Sequence, residues 1–484
     1  MAARMESTGV ANLIHVSSRT YDQLVAAGKA HWCKEREDLV EVKGKGYSKT
    51  YFVNPNSQEN TSTTMESDQG SKKYEQKESI SNADRTTRLV EWNVDILKKS
   101  ICAIVATRES MGSQPHQQVL VSQHEDIASE GIDLTGAKPE GEMIVDEVAE
   151  VIELPKHRST VGYDSTEVKL PPEVEKQLSH YVSTIASTYR NNPFHNFEHA
   201  SHVTMSVVKL LSRIEAPDEK ELKRNSTDKV ESTSSGDDHT YGITNDPLTH
   251  FACAPSALVH DVDHPGVPNS QLVKENTSMA QFYRGKSVAE QNSVDIAWNL
   301  FLDESFEAMR KMIAPTQYEL RCLRQLVVNS VMATDIMDQD LVKARNDRWY
   351  KAFSMDAVDR KATIVIEHLI QASDVAHTMQ HWHVYRKWNE RLYEEMVQAY
   401  QDGRSEKDPT EGWYDGELGF LNFYVIPLAK KLAECGVFGV SSHEYLEYAT
   451  KNRDEWKLRG QSIVAEMKEK ALNTVLKKNR HLEA

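Results

Sequence analysis

From about residue 150 to residue 474, apolar residues recur at helical spacing in one segment after another, with no convincing run of alternating strands among them. "PPEVEKQLSHYVSTIAS" opens with prolines suited to a first helical turn. "HASHVTMSVVKLLSRI", "DPLTHFACAPSALVH", "SVAEQNSVDIAWNLFL", "QYELRCLRQLVVNSVMATDIM", "AVDRKATIVIEHLIQASDVAHTM" and "GELGFLNFYVIPLAKKLAE" each carry a stripe of period 3.6. The pattern predicts one compact, multi-helix, all-α domain over 151–474. It is interrupted at 215–246 by a polar insertion, "EAPDEKELKRNSTDKVESTSSGDDHTYGITND", expected as a long surface loop.

The chain ahead of this domain has a different character. Residues 1–53 read as a small α/β piece: "NLIHVS" as a strand, "RTYDQLVAAG" as a helix, and "LVEVKGKGYSKTYFV" as a hairpin about a Gly-Lys-Gly turn. So few apolar positions bury too little surface for independent stability. Residues 54–150 are Ser/Thr/Asn-rich and expected to be mostly disordered linker. The exception is a helix near 88–110, marked by Leu89, Val90, Trp92, Val94, Ile96 and Leu97. Docking on a domain is the preferred expectation for it; a homodimer contact and an autoinhibitory arm are the alternatives.

A net charge of −16 argues against nucleic acid or an anionic membrane as the main partner. The five cysteines (33, 102, 253, 322 and 435) are scattered and form no zinc-type pair, which fits free thiols in a reducing compartment. No segment has the ~18 apolar residues of a membrane span, and the start lacks a signal-peptide run. The expectation is a cytoplasmic chain, membrane-attached only through a longer parent.

Chemistry concentrates in three places. "HDVDHPGVPNSQ" puts His260, Asp261, Asp263 and His264 into five consecutive positions, a poor way to build an apolar core. "YRNNPFHNFEHASH" offers His195 and His199 at i, i+4. "IQASDVAHTMQHW" sets Asp374 within an apolar helix, where an unpaired carboxylate is costly. Each alone has a plainer explanation: a hydrogen-bonded core histidine, or an aspartate paired with arginine. His202 keeps only that plainer reading. Together, imidazoles and carboxylates from several helices suit a hard or borderline divalent cation.

These motifs resemble the His-Asp phosphohydrolase superfamily. Within it "YRNNPFHNFEHA", "HDVDHPGVPN" and "ASDVAHTMQHWHVYRKWNERLYEEM" are similar to the catalytic domain of class I 3',5'-cyclic-nucleotide phosphodiesterases, over about 150–474. The resemblance implies that His199, His260, Asp261 and Asp374 hold a first metal, expected to be Zn2+. Asp261 would bridge to a second, Mg2+ or Mn2+. Two such cations sharing a hydroxide would attack a cyclic phosphodiester and yield the 5'-monophosphate. His195 would act as general acid, with Glu395 keeping it charged. His264, Glu290, Thr334 and Asp335 match positions that orient waters; Asp263 matches no ligand position.

The base pocket departs from the family. Phe420, with Leu392 as the opposite jaw, would clamp a purine, but Glu417 stands where the family has glutamine. An ionised carboxylate only accepts and leans towards cGMP, whereas a protonated one suits cAMP. His377 replaces a common asparagine, and "AEQNS" replaces Glu-Asn-His-His while retaining Glu290. The alternatives carried are a catalytically silent cyclic-nucleotide sensor and another His-Asp phosphohydrolase.

Residues 1–53 resemble the C-terminal end of class III adenylate/guanylate cyclase domains, with Arg4 and Lys43 or Lys45 at matching positions. The metal-binding aspartates of that family fall outside the fragment, so no cyclase activity is expected. A truncated product, an internal start or an incomplete gene model of a larger fusion would explain such a fragment.

Overall fold

The computed structural model describes residues 14–26, 29–36, 40–42, 46–53, 70–112, 143–152, 154, 168–214, 240–243, 246–354, 358–438 and 441–482. The chain divides into two units, Met1–Glu78 and Ser79–Ala484.

The first unit contains β1 (Ile14–Ser17), α1 (Ser18–Ala26), β2 (Cys33–Glu35), β3 (Val40–Val42), β4 (Gly46–Ser48) and β5 (Thr50–Val53). β5 is the middle strand of an antiparallel sheet of order β1-β5-β2. β3 and β4 form the expected hairpin, with Val40 opposite Ser48. The pairing stops at Ser48, because Thr50–Val53 leaves the hairpin to join β1 and β2, burying Thr50 and Val53. Tyr21 of α1 stacks on Tyr51 with ring centroids 3.8 Å apart. β2 is too short, with one apolar position, to register as a strand by alternation. Arg4, Lys43 and Lys45 lie outside the described residues.

The second unit is helical, as the 3.6-period stripes predict. Its elements are α2 (Gly70–Gly112, of which the residues from Ser79 belong here), α3 (Pro172–Thr188), α4 (Phe197–Leu211), α5 (Pro247–Val259), α6 (Asn269–Lys274), α7 (Ser278–Phe282) and α8 (Val288–Leu302). There follow α9 (Glu307–Ile313), α10 (Gln317–Met332), α11 (Gln339–Ser354), α12 (Val358–Asp374), α13 (Trp382–Gln401), α14 (Trp413–Phe420), α15 (Ile426–Glu434) and α16 (Ser441–Leu482). α4, α5, α10 and α12 pack on one another around Ala200, Val207, Ala257, Leu258, Val328, Val331, Val365 and Leu369. That arrangement brings the start of α4 and the ends of α5 and α12 to one place.

Four features differ from the expected boundaries. The helix predicted near 88–110 starts at Gly70, inside the segment expected to be disordered: "SKKYEQKE" lacks an apolar stripe but is rich in helix formers that extend a docked helix. Its apolar face docks on the helical core, burying Leu97, Ile101 and Ile104, while Asn93 donates to Ser201 Oγ of α4 at 2.9 Å. The helical packing takes in residues ahead of 151, since Ile144 and Ile152 are buried and Arg324 grips Glu147 through two nitrogens at 2.6 and 2.7 Å. The surface insertion ends before 246: Thr240, Ile243 and Asp246 are buried, and Asp246 caps α5 by accepting from Leu248 and Thr249. The rest of the insertion, 215–239 and 244–245, lies outside the described residues.

The stripe of "GELGFLNFYVIPLAKKLAE" is interrupted, not continuous. α14 gives way to a π-helical turn over Leu421–Val425 before α15 resumes. Pro427 sits at the start of α15 without an N–H, and its ring crowds the preceding turn, which opens it.

Candidate active site

Local chemistry pins each histidine before any ligand is considered. Asn196 caps α4 by accepting the His199 N–H at 3.0 Å, which fixes His199 in the first turn. α5 ends in His260 and runs into a loop where Asp263 (φ 60°) and Gly266 (φ 70°) are left-handed. At Gly266 a Cβ would stand 3.2 Å from Asn192 Oδ1, so the loop needs glycine there. Asn192 in turn donates to the carbonyls of His195 at 3.1 Å and His264 at 2.8 Å, tying the two histidine segments together. Asp263 points away from this centre, accepting from Arg190 at 2.7 Å and Asn292 at 3.3 Å.

His199, His260, Asp261 and Asp374 converge. His199 Nε2 lies 3.0 Å from Asp374 Oδ1 and 3.7 Å from Asp261 Oδ2. His260 Nε2 lies 3.1 Å from Asp261 Oδ2 and 3.4 Å from Asp374 Oδ1. His260 Nδ1 donates to the Ala257 carbonyl at 2.8 Å, so Nε2 presents a lone pair. That buried atom has no hydrogen-bond partner. A lone pair facing two carboxylates in a buried space calls for a positive charge between them. Burial pushes His260 down, yet Asp261 and Asp374 outweigh it and hold it well above its ordinary value. The same company holds Asp374 and Asp261 well below theirs despite burial. Burial dominates at His199 and pushes it down. His199, His260 and Asp261 offer ligand atoms close enough to share a divalent cation, and Asp374 Oδ1 stands beside both histidines.

A second group, His195, His264 and Glu395, also lies close together, but its lone pairs are already used. Glu395 Oε1 accepts from His195 Nδ1, and Oε2 accepts the N–H groups of Phe194 and His195, both at 2.9 Å. Burial pushes His195 down, but the Glu395 carboxylate raises it to about 9, while Glu395 falls to about 2 despite its own burial. His264 Nδ1 accepts from the Gly266 N–H at 3.2 Å, leaving Nε2 as its donor. Burial and the His195 charge push His264 down to about 3, so it is neutral. This group is therefore an imidazolium–carboxylate pair beside a neutral imidazole, not a metal nest.

Glu290, Thr334 and Asp335 stand at the ends of α8 and α10. Asn269 was not singled out from the sequence, yet it donates to Glu290 at 2.8 Å and to Asp335 Oδ2 at 3.3 Å. Burial, with Asp335 alongside, raises Glu290 to about 8. The other Asp335 oxygen accepts from the N–H groups of Met337 and Asp338. Thr334 Oγ1 donates to the Val331 carbonyl at 2.7 Å. Behind this turn, Arg345 donates to the Asp335 carbonyl at 2.8 Å and Gln371 to the Ala333 carbonyl at 3.0 Å.

One face of α13 runs along the whole region: Tyr385, Trp388, Asn389, Leu392 and Glu395 recur at i, i+3, i+4, i+7 and i+10. Trp388 packs its ring 5.6 Å from those of His199 and Phe194. At the other end, Tyr385 donates to Glu417 Oε1 of α14 at 2.7 Å. Trp413 donates to Asn389 Oδ1 at 3.1 Å, so the Asn389 amide turns its NH2 towards Glu417. Burial pushes Glu417 up to about 7, with Tyr385 and Asn389 limiting the rise. Leu392 and Phe420 are both partly buried, and Phe420 stacks on Tyr424 at 5.4 Å. His377 packs edge-on to Phe194 at 5.5 Å and is pushed down by burial to about 3. Neither Asn192, Asn269, Tyr385 nor Asn389 has a sequence signal, because each acts through a partner distant in the chain.

A helical domain thus gathers two histidines and two aspartates from the start of α4, the end of α5 and the end of α12 into a group that could hold a divalent cation. The particular family follows from comparison: residues 194–438 match the 3'5'-cyclic nucleotide phosphodiesterase model, and the chain belongs to that family. Residues 1–55 match the adenylate and guanylate cyclase catalytic domain. A cGMP-specific 3',5'-cGMP phosphodiesterase of Dictyostelium discoideum is 22% identical over 296 residues, covering 60% of this chain and 57% of its own. A 3',5'-cyclic-AMP phosphodiesterase of Drosophila melanogaster, isoform F, is 24% identical over 306 residues, 60% of this chain and 41% of its own. The chain thus spans less than two thirds of the length of these relatives. The solved phosphodiesterase domain of the Salpingoeca rosetta rhodopsin phosphodiesterase is 20% identical, with a TM-score of 0.47 over 61% of this chain and 84% of that one. No described helix is long and apolar enough to cross a membrane.

Proposed function

We propose that this chain hydrolyses 3',5'-cyclic purine nucleotides to 5'-monophosphates. The observation that carries the reading is the convergence of His199, His260, Asp261 and Asp374 beside the His195–Glu395 pair. The four would hold a first divalent cation, best suited to Zn2+, and Asp261 would face a second, Mg2+ or Mn2+. When bound, such cations supply an acidified water and neutralise charge on the phosphoryl oxygens.

The chain's own groups do the rest. As water oxygen adds to phosphorus, the P–O3' bond breaks and O3' needs a proton. His195 holds one at Nε2, because its Nδ1 is tied to Glu395 and the pair favours the imidazolium. His264, Glu290, Thr334 and Asp335 line the region where waters around the second cation would be oriented, and Asn269 keeps the two carboxylates in register. Phe420 and Leu392 would grip the purine, with Glu417 at its edge.

The test is hydrolysis of cAMP and cGMP with zinc and magnesium present. Turnover that disappears in Asp374→Ala is the expected result. Tight nucleotide binding with no product from the wild type would overturn the reading in favour of a sensor.

A further inference from the structure

One peptide plane beside His264 is gripped on both edges. The N–H of Gly266 donates to His264 Nδ1 at 3.2 Å, and the carbonyl of Pro265, on the opposite edge of the same plane, accepts from Arg404 at 3.1 Å. Arg404 stands just past the end of α13, the helix that carries Glu395, and its other two nitrogens fork onto the two oxygens of Glu275 at 3.0 and 2.9 Å. Glu275 ends α6 and takes a further hydrogen bond from Gln271 at 3.1 Å. A planar guanidinium fixed at two nitrogens by one carboxylate has little freedom to turn, so its third nitrogen is delivered to the Pro265 carbonyl.

The plane needs this grip. The proline ring fixes φ at residue 265 but leaves ψ free, and Gly266, at φ 70°, has no side chain to restrain it. Pro followed by left-handed Gly is the pair at which the middle peptide of a turn rotates with little movement of its neighbours. The preceding carbonyl, that of His264, is already held by Asn192 at 2.8 Å. What separates the two orientations of the plane is the partner each offers His264 Nδ1. With the N–H there, Nδ1 accepts and the ring proton sits on Nε2. With the carbonyl there, Nδ1 must carry the proton and Nε2 becomes an acceptor. The His264 ring lies 3.9 Å from that of His195, centroid to centroid. A phosphoryl oxygen brought beside it needs a donor at Nε2, and a lone pair there would repel it.

Resting on the proposed function for its consequence in catalysis, we propose that Arg404 is a positioning residue: by holding the Pro265–Gly266 peptide it fixes His264 as the Nε2–H tautomer and so supplies the site with a hydrogen-bond donor. Arg404 itself touches no reacting atom. A plain ion pair tying α13 to α6 would act on stability alone, and by little. That tie does not depend on Arg404, because Ala399 of α13 is already buried against Val267, Leu272, Tyr283 and Val288 of the same segment.

The experiment compares, in the full chain, Arg404→Ala, His264→Gln and the double variant of the two. Arg404→Lys, which keeps a charge opposite Glu275 without the planar fork, takes the place of Arg404→Ala should that variant fail to fold. The arginine variant is expected to lower kcat on cyclic nucleotides by about tenfold or more with KM within about twofold. Added to His264→Gln, it is expected to lower kcat no further, because it acts through that ring. An unchanged kcat in the folded variant, or a double variant whose loss is the product of the single losses, overturns the proposal. Ring-15N-histidine spectra of the same proteins read the tautomer directly, the His264 pair being assigned by its disappearance in His264→Gln. The wild type is expected to carry its proton on Nε2, and the arginine variant to shift part or all of it to Nδ1; an unmoved His264 pair overturns the proposal. The spectra need no turnover. If no cyclic nucleotide is hydrolysed, the proposed function fails and the spectra still decide the role of Arg404.

Discussion

At the residue scale, the most informative pair is His195 and Glu395. The carboxylate is the main reason His195 stays charged, so Glu395→Gln is expected to move the alkaline limb of the pH–rate profile to lower pH, and His195→Ala to lower kcat by on the order of 10²–10⁴. An unshifted limb in Glu395→Gln would show that another group protonates O3'. The same pair carries a stability signature. His195, raised from 6.5 to about 9, contributes stability that is full below its ordinary value and lost as pH rises through about 9. Glu395, lowered from 4.5 to about 2, contributes stability present above its ordinary value and lost as pH falls through about 2. The histidines and aspartates stand out in the sequence because His260 and Asp261 are adjacent and Asp374 violates an apolar stripe, but the roles expected of them come from the family resemblance. Their keepers were not legible. Asn192 and Asn269 look like ordinary turn residues until the fold shows whose carbonyl or carboxylate each one meets.

At the element scale, α2 extends well beyond its apolar stripe. Its apolar positions identify the docked turns, but the polar turns ahead of them carry no stripe and are helical by propensity and continuity. Docking is a matter of packing: Ile101 is 0% exposed among the catalytic helices, so Ile101→Ala is expected to cost about 2–5 kcal/mol by denaturant unfolding of the full chain. A change within about 0.5 kcal/mol would mean that α2 is only loosely seated. The π-helical turn ahead of Pro427 was equally hidden, since the proline could be taken for a mere first-turn residue. The helices themselves were legible, because buried faces impose the 3.6 period wherever the core is deep. β2 escaped notice because a short strand of Cys-Lys-Glu has no period to detect.

At the scale of the whole molecule, the proposed cation would join α4, the end of α5 and the end of α12, elements far apart in sequence. Such a bond stabilises only the folded chain, by about 2.7 kcal/mol when free cation stands at a hundredfold over its Kd. Chelation is therefore expected to lower the melting temperature of the wild type, with recovery on adding zinc, and to leave Asp374→Ala unmoved. Equal responses of the two proteins would place the stabilising ion elsewhere.

The shared face of α13 has an evolutionary corollary. One residue gained or lost between Asn389 and Glu395 would turn one end of that face by about 100° relative to the other. Tyr385 and Asn389 at one end and Glu395 at the other would then no longer look the same way. Descendants of this chain can retune either end by substitution, but neither by changing the length of the helix between them. A change of spacing would part Asn389 from the carboxylate paired with His195, so if the proposed function holds, the interval from Asn389 to Glu395 is a sharper constraint than either residue alone.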